Sequence, residues 1–448
     1  MSTSFRAYLG SNLIGGGITR SSDGFVRPTD WLALSTAPEP EGVRAIHAVF
    51  NSPSNFCAIR CQGAYTVDWG DGSPPQNYSN NAFAYYNYNW NNINPSTLTS
   101  YGYRQAVVTI TPQAGNNLTF IHLAEKHNEL GLTNSYSTGW LDINVNAPNL
   151  TSGGSRLFFG TTSVRSVYLK RVYIKNWGNL TSLNGVFQRC RDLEALNEHE
   201  WNTGNITSFS TTFLGCESLK SLDTRNWVTS AANTFNEMFR TCTNLKTIAG
   251  LENWNTSNVT TFALMFGSCP ALFSDKEVLN LNNWNTANVT TLNGMFNTCT
   301  SLRNLSISSW NVSKISILDQ FVNGASGLEK LDISMWNLSA CTSCSNPFQN
   351  CFSIKEIKLP SLSSVTNFGA NFTQTTNNLS NFTFPASGIS ASINFTSCCF
   401  DSTTLDYIYT NLSTVSSSPV KTITVTGNYG VNNDNPSIAQ GKGWQVTG

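Results

Sequence analysis

The chain reads as mainly β, with a solenoid of stacked coils behind an antiparallel β-sandwich. Three observations predict this: a Phe-x-x-Cys motif that recurs beyond residue 180, a Leu-x-x-Leu spacing after most copies, and non-repeating alternating apolar runs in the first third. A repeat that cannot bury its own apolar face must stack on its neighbours. Alternation at period two is instead the pattern of strands with one buried face.

Residues 1–40 are read as an N-terminal arm. Gly15-Gly-Gly17, several Ser and the breaks at Pro28, Pro38 and Pro40 leave it too short for its own core. It is expected to lie along a neighbouring chain or to stay mobile. Residues 41–148 hold Val43-Arg-Ala-Ile-His-Ala-Val-Phe50 and Ala106-Val-Val-Thr-Ile110, broken by Gly, Pro and Asn, which predicts the short antiparallel strands of a sandwich. Asp71-Gly72 suits a hairpin with positive backbone angles. Asp68 and Asp71 can hydrogen-bond their own turn; as Ca²⁺ ligands, two carboxylates fall well short of the usual six to eight oxygens. The segment Tyr65-Thr-Val-Asp-Trp-Gly-Asp-Gly-Ser73 resembles the strand and tight turn of PKD-type immunoglobulin-like domains.

Residues 149–400 are the solenoid. Phe187-Gln-Arg-Cys190, Phe213-Leu-Gly-Cys216, Phe239-Arg-Thr-Cys242, Phe266-Gly-Ser-Cys269, Phe296-Asn-Thr-Cys299 and Phe348-Gln-Asn-Cys351 share one register, and the first five Phe step by 26, 26, 27 and 30 residues. Phe321 divides the last gap of 52, with Gly324 in the place of Cys. Leu193, Leu219, Leu245, Leu272, Leu302 or Ile354 follows each Cys by three residues, and Trp201, Trp227, Trp254, Trp284 and Trp336 each precede a Phe by 12. A period in the twenties with Leu-x-x-Leu-x-Leu falls in the leucine-rich-repeat range, so a parallel sheet is expected on one side and short helical turns on the other. Weaker copies around Phe158, Val164 and Val167, at Val365–Phe372 and at Phe395-Thr-Ser-Cys398 bring the count to about nine coils.

Trp254-Asn-Thr-Ser-Asn-Val-Thr-Thr-Phe-Ala-Leu-Met-Phe-Gly-Ser-Cys269 and its copy from Trp284 to Cys299 resemble the leucine-rich repeats of the BspA-like surface protein family. That resemblance implies adhesion at a cell or particle surface and no catalysis. Residues 401–448 are read as a C-terminal cap: Thr404–Leu412 has helical spacing, and Val420–Val425 and Gly443–Gly448 read as strands. The ending Ala439-Gln-Gly-Lys-Gly-Trp-Gln-Val-Thr447 is similar to a terminal segment of bacteriophage virion proteins that carry leucine-rich repeats.

Charged residues make up 12% of the 448, with zero net charge, against the ~25% usual in soluble proteins. This balance carries no electrostatic footprint for nucleic acid. No stretch approaches the ~20 apolar residues of a membrane span, and the first residues lack the order of a signal peptide. Of the 12 Cys, Cys190, Cys216, Cys242, Cys269, Cys299, Cys351 and Cys398 occupy one repeat position, where a buried thiol acts as a small hydrophobe and weak donor. Stacked thiols running parallel make poor disulfide geometry, and a reduced ladder fits folding in a cytosol. Cys341, Cys344 and Cys351 could supply three zinc ligands, but no His stands near as a fourth.

Chemistry is scarce. The four His are His47, His122, His127 and His199; His122-Leu-Ala-Glu-Lys-His127 is not His-Glu-x-x-His, and its spacing puts the imidazoles on different helical faces. No nucleophile elbow, phosphate loop or dinucleotide fingerprint is present, and no cofactor is expected. Binding is therefore placed on surfaces. The outward positions of the sheet face are Ala195 and Asn197, Ser221 and Asp223, Thr247 and Ala249, Asn304 and Ser306, Lys330 and Asp332, Glu356 and Lys358, a polar strip suited to a glycan or protein. The Trp column could stack sugars, although its constant spacing points to packing. The expected function is a non-enzymatic bacteriophage virion structural protein, a tail fibre or head decoration. It would contact other virion proteins through its N-terminal region and a host-surface glycan or protein through its solenoid, as a homo-oligomer without nucleic-acid or membrane insertion. A bacterial cell-surface adhesin is the alternative.

Overall fold

The computed structural model describes residues 25–52, 55–125, 139–151, 168–274, 278–368, 372, 378–416 and 418–448. Phe158, Val164, Val167, His127 and the arm before residue 25 lie outside the described residues. The chain forms two compact units, Met1–Trp201 with Cys216–Leu219, and Asn202–Gly215 with Lys220–Gly448.

In the first unit the alternating runs become strands β1 (Gly42–Phe50), β2 (Phe56–Gln62), β3 (Tyr65–Asp68), β4 (Gln76–Tyr78), β5 (Phe83–Asn87), β6 (Tyr103–Pro112), β7 (Phe120–His122), β8 (Trp140–Asn146), β9 (Arg171–Asn176) and β10 (Ala195–Leu196). One sheet has the order β10-β9-β8-β1-β6-β3-β4 and the facing sheet β5-β2-β7. Aromatic side chains with one polar tip tie the two together. Tyr65 Oη donates to Ala82 O at 2.7 Å and Tyr88 Oη to Trp69 O at 2.9 Å, so each buried hydroxyl is satisfied. The β3–β4 hairpin carries the expected turn bonds, Gly70 N to Asp68 Oδ1 at 2.9 Å and Ser73 N to Asp71 Oδ1 at 3.1 Å.

This sheet changes character across its width. β8 is antiparallel to β1 on one side and parallel to β9 on the other, and β10 adds a further parallel strand. The first coils thus grow directly from the sandwich edge, across the 148/149 boundary read from sequence. Residues 25–40 are packed on the chain's own sandwich. They cross their own sheet: Trp31 Nε1 donates to Tyr103 Oη at 2.8 Å, Leu32 N to Gln105 Oε1 at 2.9 Å and Asn144 Nδ2 to Ser35 O at 2.7 Å. Asp142, fully buried on β8, joins Arg27 of this segment to Arg171 of β9, the latter at 3.0 Å. Two guanidinium partners are what a buried carboxylate requires.

In the second unit each coil contributes a short parallel strand: β11 (Ser221–Asp223), β12 (Thr247–Ala249), β13 (Leu279–Asn280), β14 (Leu305–Ser306), β15 (Lys330–Asp332), β16 (Glu356–Lys358) and β17 (Asn381–Thr383). Leu222, Ile248, Leu279, Leu305, Leu331, Ile357 and Phe382 point inward from them. Opposite, the Phe-x-x-Cys side is a succession of tight turns with left-handed residues five and one before the Cys. Thr211 and Gly215 have φ of 52° and 76°, Glu237 and Thr241 54° and 61°, and Leu264 and Ser268 53° and 60°. These residues and the Phe between them donate their N–H to the next coil: Glu237 to Ala263 O, Phe239 to Met265 O and Thr241 to Gly267 O, all at 2.9 Å. A left-handed non-glycine residue costs ~1–2 kcal/mol, so the coil-to-coil bonds and packing must outweigh it.

The same markers correct the register around Phe321. The left-handed pair there is Gln320 and Gly324, which puts Ala325, not Gly324, in the Cys position. Val322 takes the Phe position, bonded through its N–H to Pro347 O at 3.0 Å, while Phe321 aligns with Met295. Trp310, which the sequence analysis passed over, then precedes Val322 by the same 12 residues as in the other coils.

Stacking turns repeat positions into columns. Phe213, Phe239, Phe266 and Phe296 stand 5.7, 5.8 and 5.6 Å apart with rings within 19° of parallel. Trp227, Trp254, Trp284, Trp310 and Trp336 stand 5.9, 6.1, 6.1 and 6.0 Å apart. Two residues beyond each Trp, the buried hydroxyls of Thr203, Thr229, Thr256 and Thr286 donate to the next coil's backbone at 2.9–3.1 Å, before Val312 and Leu338 replace them with apolar contact.

The stack closes with β18 (Ile393–Asn394), α1 (Ser402–Asn411), β19 (Lys421–Thr424), α2 (Ser437–Gln440) and β20 (Trp444–Thr447). Strands β18, β19 and β20 pair in parallel, and α1 begins on Asp401, whose carboxylate accepts from Thr404 N at 2.7 Å. In the last coil Asn428 stands where Cys stood, and its amide donates to Phe395 O at 2.8 Å.

Two stability predictions follow from this packing. Phe266→Ala should lower the free energy of unfolding by ~3–5 kcal/mol, read by chemical denaturation; a wild-type midpoint would remove Phe266 from the core column. His47, stacked 5.2 Å from Tyr88 and edge-on to Trp140 at 5.0 Å, has its pKa drawn down to about 3 by burial, partly opposed by a backbone bond at Ala48. Below the ordinary value of about 6.5 the unfolded chain gains a proton that the folded chain refuses until about 3. Stability should fall through that window, and His47→Phe should flatten the slope by up to one proton in denaturation series at pH 4 to 7; equal slopes would contradict this.

Candidate binding surfaces

The sheet face follows from the strands. Inward Leu or Ile at the centre of each two- or three-residue strand forces its neighbours outward, so Ser221, Ala249, Lys330 and Asp332 are exposed and Asp223, Thr247, Asn304, Ser306, Glu356 and Lys358 half-buried. Asn197 departs from the expected face. It is buried, pairs with both backbone groups of Ile174 at 2.8 Å, and accepts from Trp201 Nε1 at 3.2 Å. It clamps one coil to the next and offers nothing to a ligand.

The charges of this face are spent on one another. Lys358 Nζ lies 3.3 Å from Glu356 and 3.5 Å from Asp332, Lys330 Nζ 3.9 Å from Glu356, and Asn381 Nδ2 3.3 Å from Glu356. Glu356 first, then Asp332, raises the pKa of Lys358, while Ser334 and Lys358 lower that of Asp332. Arg225 likewise lies across Asp223 at 2.5 Å. Such exposed pairs add little stability, and they leave the strip electrically balanced.

The Trp column offers no open ring. Its five indoles are 2–5% exposed, and Trp284, Trp310 and Trp336 donate Nε1 to Leu251, Leu281 and Ile307 carbonyls at 2.8–3.0 Å. The thiols are similarly occupied. Cys216, Cys242, Cys269, Cys299 and Cys351 donate to the carbonyls of Phe187, Phe213, Phe239, Phe266 and Val322 at 2.9–3.2 Å. All 12 cysteines are free, and burial pushes Cys269 and Cys351 up to about 12. Cys341 Sγ turns to Ser343 O at 3.2 Å. Among the described residues no three His, Cys, Asp or Glu side chains converge as a metal group. His122 Nδ1 lies 3.3 Å from Glu125, which Arg60 also meets at 2.7 Å.

A groove that the sequence analysis did not anticipate opens at the corner between the Cys and the strand. The coil from Cys269 to Cys299 has 30 residues against 27 and 26 in the coils on either side, and the excess falls between Cys269 and β13. There β12 and β13 fall in separate sheets. Beside this insertion a groove of about 380 Å³ is lined by Ser274, Thr300, Ser301, Arg303, Gly327, Glu329 and Ser353. Gly327 keeps its floor low, because a Cβ there would stand 2.4 Å from Thr300 O. The uneven spacing of 30 was the available signal in the sequence.

Residues 157–278 and 268–383 match the family described as Mycoplasma protein of unknown function, DUF285. No curated protein matches the chain. Among solved structures, the crystal structure of a TLR13–ssRNA13 complex is similar at 14% identity and a TM-score of 0.22, over 63% of this chain and 49% of that one. The chain spans about half of that structure, and so slight a likeness carries no argument. Among the described residues no helix is long and apolar enough to cross a membrane. The two family matches together span just over half of the residues, and the chain belongs to the DUF285 family.

Proposed function

We propose that this protein is a non-enzymatic structural and attachment protein of a bacteriophage virion, a tail fibre or head decoration. The observation that carries the reading is the thiol column: buried free cysteines fill one position coil after coil, a core suited to folding in a reducing cytosol and poorly suited to an oxidising secretory route. The ending Ala439–Thr447, similar to that of virion proteins, supports the same reading and here forms the closing strand of the cap. The sandwich, with its PKD-like turn, would face other virion proteins, and the coil edges would face the host. On the sheet face Asp223, Asp332 and Glu356 are paired with Arg225, Lys330 and Lys358, which supports a binding reading of that face over a catalytic one.

A second reading, a bacterial cell-surface adhesin of the BspA-like type, is favoured by the DUF285 match. Mass spectrometry of purified phage particles against host envelope fractions separates the two. Recovery in particles at stoichiometric copy number is expected; recovery only in the envelope fraction would select the adhesin. The thiol column makes its own prediction. Native protein should react with a thiol reagent at Cys399 alone, the single cysteine not fully buried, and at all 12 after denaturation. Missing thiols in the denatured chain would reveal disulfides and remove the argument for cytosolic folding.

A further inference from the structure

We propose that the loop between β5 and β6 is a sugar-binding platform, with Trp90 stacking on a neutral pyranose ring and the Asn amides around it bonding the sugar hydroxyls. The proposal goes beyond the attachment reading and does not rest on it, since a glycan contact on the sandwich would serve a virion protein and an adhesin alike. It starts from Trp90 being the exception among the 12 Trp. The other eleven are buried, and in the same unit Trp31, Trp69 and Trp140 donate their Nε1 to Tyr103, Gln76 and Leu123. Trp90 is only half-buried, and its Nε1 meets no protein acceptor among the described residues.

The indole is held in place by the loop and by β6. Trp90–Asn92 and Pro95–Thr97 each make one turn of 3₁₀ helix, capped by Asn89, which accepts from Asn91 N at 3.0 Å, and by Asn94, which accepts from Ser96 N at 3.0 Å. Arg104 lies over the indole, 4.4 Å from its centre, and donates Nη1 to Trp90 O at 2.8 Å and Ile93 O at 3.0 Å. Gln105 fastens the second turn, N to Thr97 Oγ1 at 3.0 Å and Nε2 to Thr97 O at 3.2 Å. With the guanidinium on one face, the open part of the indole is its other face and its Nε1 edge. The negative face of an aromatic ring attracts the polarised C–H groups of a pyranose. Asn89, Asn91, Asn92 and Asn94 are all exposed. Capping uses the Oδ1 of Asn89 and Asn94, so their Nδ2 groups and both ends of the Asn91 and Asn92 amides remain for hydroxyls. Residues 89–99 carry no charged side chain, which favours a neutral sugar. A loop already fixed in shape loses little freedom on binding.

The test reads Trp90 directly, by iodide quenching of Trp fluorescence in the full chain, together with saturation-transfer NMR. The probes are the methyl glycosides of glucose, galactose and mannose, N-acetylglucosamine, and glucuronic acid. Iodide should quench one accessible indole, absent in Trp90→Phe, and at least one neutral sugar should bind and shield it. Trp90→Ala should weaken that sugar about tenfold, Asn91→Ala with Asn92→Ala should weaken it severalfold, and Lys330→Ala on the solenoid should change nothing. Should Trp90→Ala fail to fold, Trp90→Leu keeps apolar bulk without the ring and carries the same expectation. No binding by any neutral sugar, binding that leaves Trp90 open to iodide, full binding by Trp90→Ala, or tighter binding of glucuronic acid than of the glucoside would overturn the proposal. Each of these results is independent of whether the protein is recovered in particles or in envelopes.

Discussion

On the turn side of each coil, alternate N–H groups all point to the next coil, and the rest of the solenoid depends on that direction. It is set by left-handed residues five and one before the Cys position, such as Glu237 and Thr241. Because the donors at 211, 213 and 215 meet carbonyls at 236, 238 and 240, coil spacing is fixed by hydrogen bonds before any side chain is considered. Aromatic rings then fall about 6 Å apart in near-parallel columns, adding ~0.5–1.5 kcal/mol per pair to their burial. The weak thiol donor has a defined role in this frame, satisfying a second lone pair on the Phe carbonyl of the preceding coil.

A directional ladder has two unlike ends, and both must be closed. At the beginning the chain uses a strand with two kinds of partner: β8 completes an antiparallel sandwich and presents its other edge to the first parallel strand. Asp142, held between Arg27 and Arg171, binds the segment before the sandwich to this junction. At the far end Asn428 replaces the thiol by a stronger amide donor, and Trp444 donates its indole N–H to Ser413 O at 2.8 Å. Neither device is a copy of the repeat, as expected of residues with a neighbour on one side only.

With interior columns so constrained, variation is confined to the corners and outer faces. The outer sheet face became charged toward the C-terminal coils but paired its charges internally. The corner groove lies where the coil length changes, with Ser274 of the longer coil and Thr300, Arg303, Gly327 and Glu329 of the following coils in its lining. The strands β12 and β13 on either side of the longer coil fall in separate sheets. A solenoid can absorb such an insertion because each coil contacts only its neighbours.

The repeat, its register in most coils, the strands at Val43–Phe50 and Ala106–Ile110, and the helix and strands of the cap could be read from the residues, because periodicity and burial of apolar side chains are local patterns. The free thiols were legible for the same reason. The slip at Phe321 was not: Phe-x-x-Gly matched the motif by identity, and only the left-handed pair at Gln320 and Gly324 and the bond from Val322 revealed that Val322 and Ala325 fill the core. Asn197 was misplaced because a residue flanking a strand looks outward by alternation, whereas its amide turned in to clamp Ile174. Sequence by itself determined what each coil must bury; the tertiary structure decided how coils meet, since ends, corners and grooves arise between residues far apart in the chain.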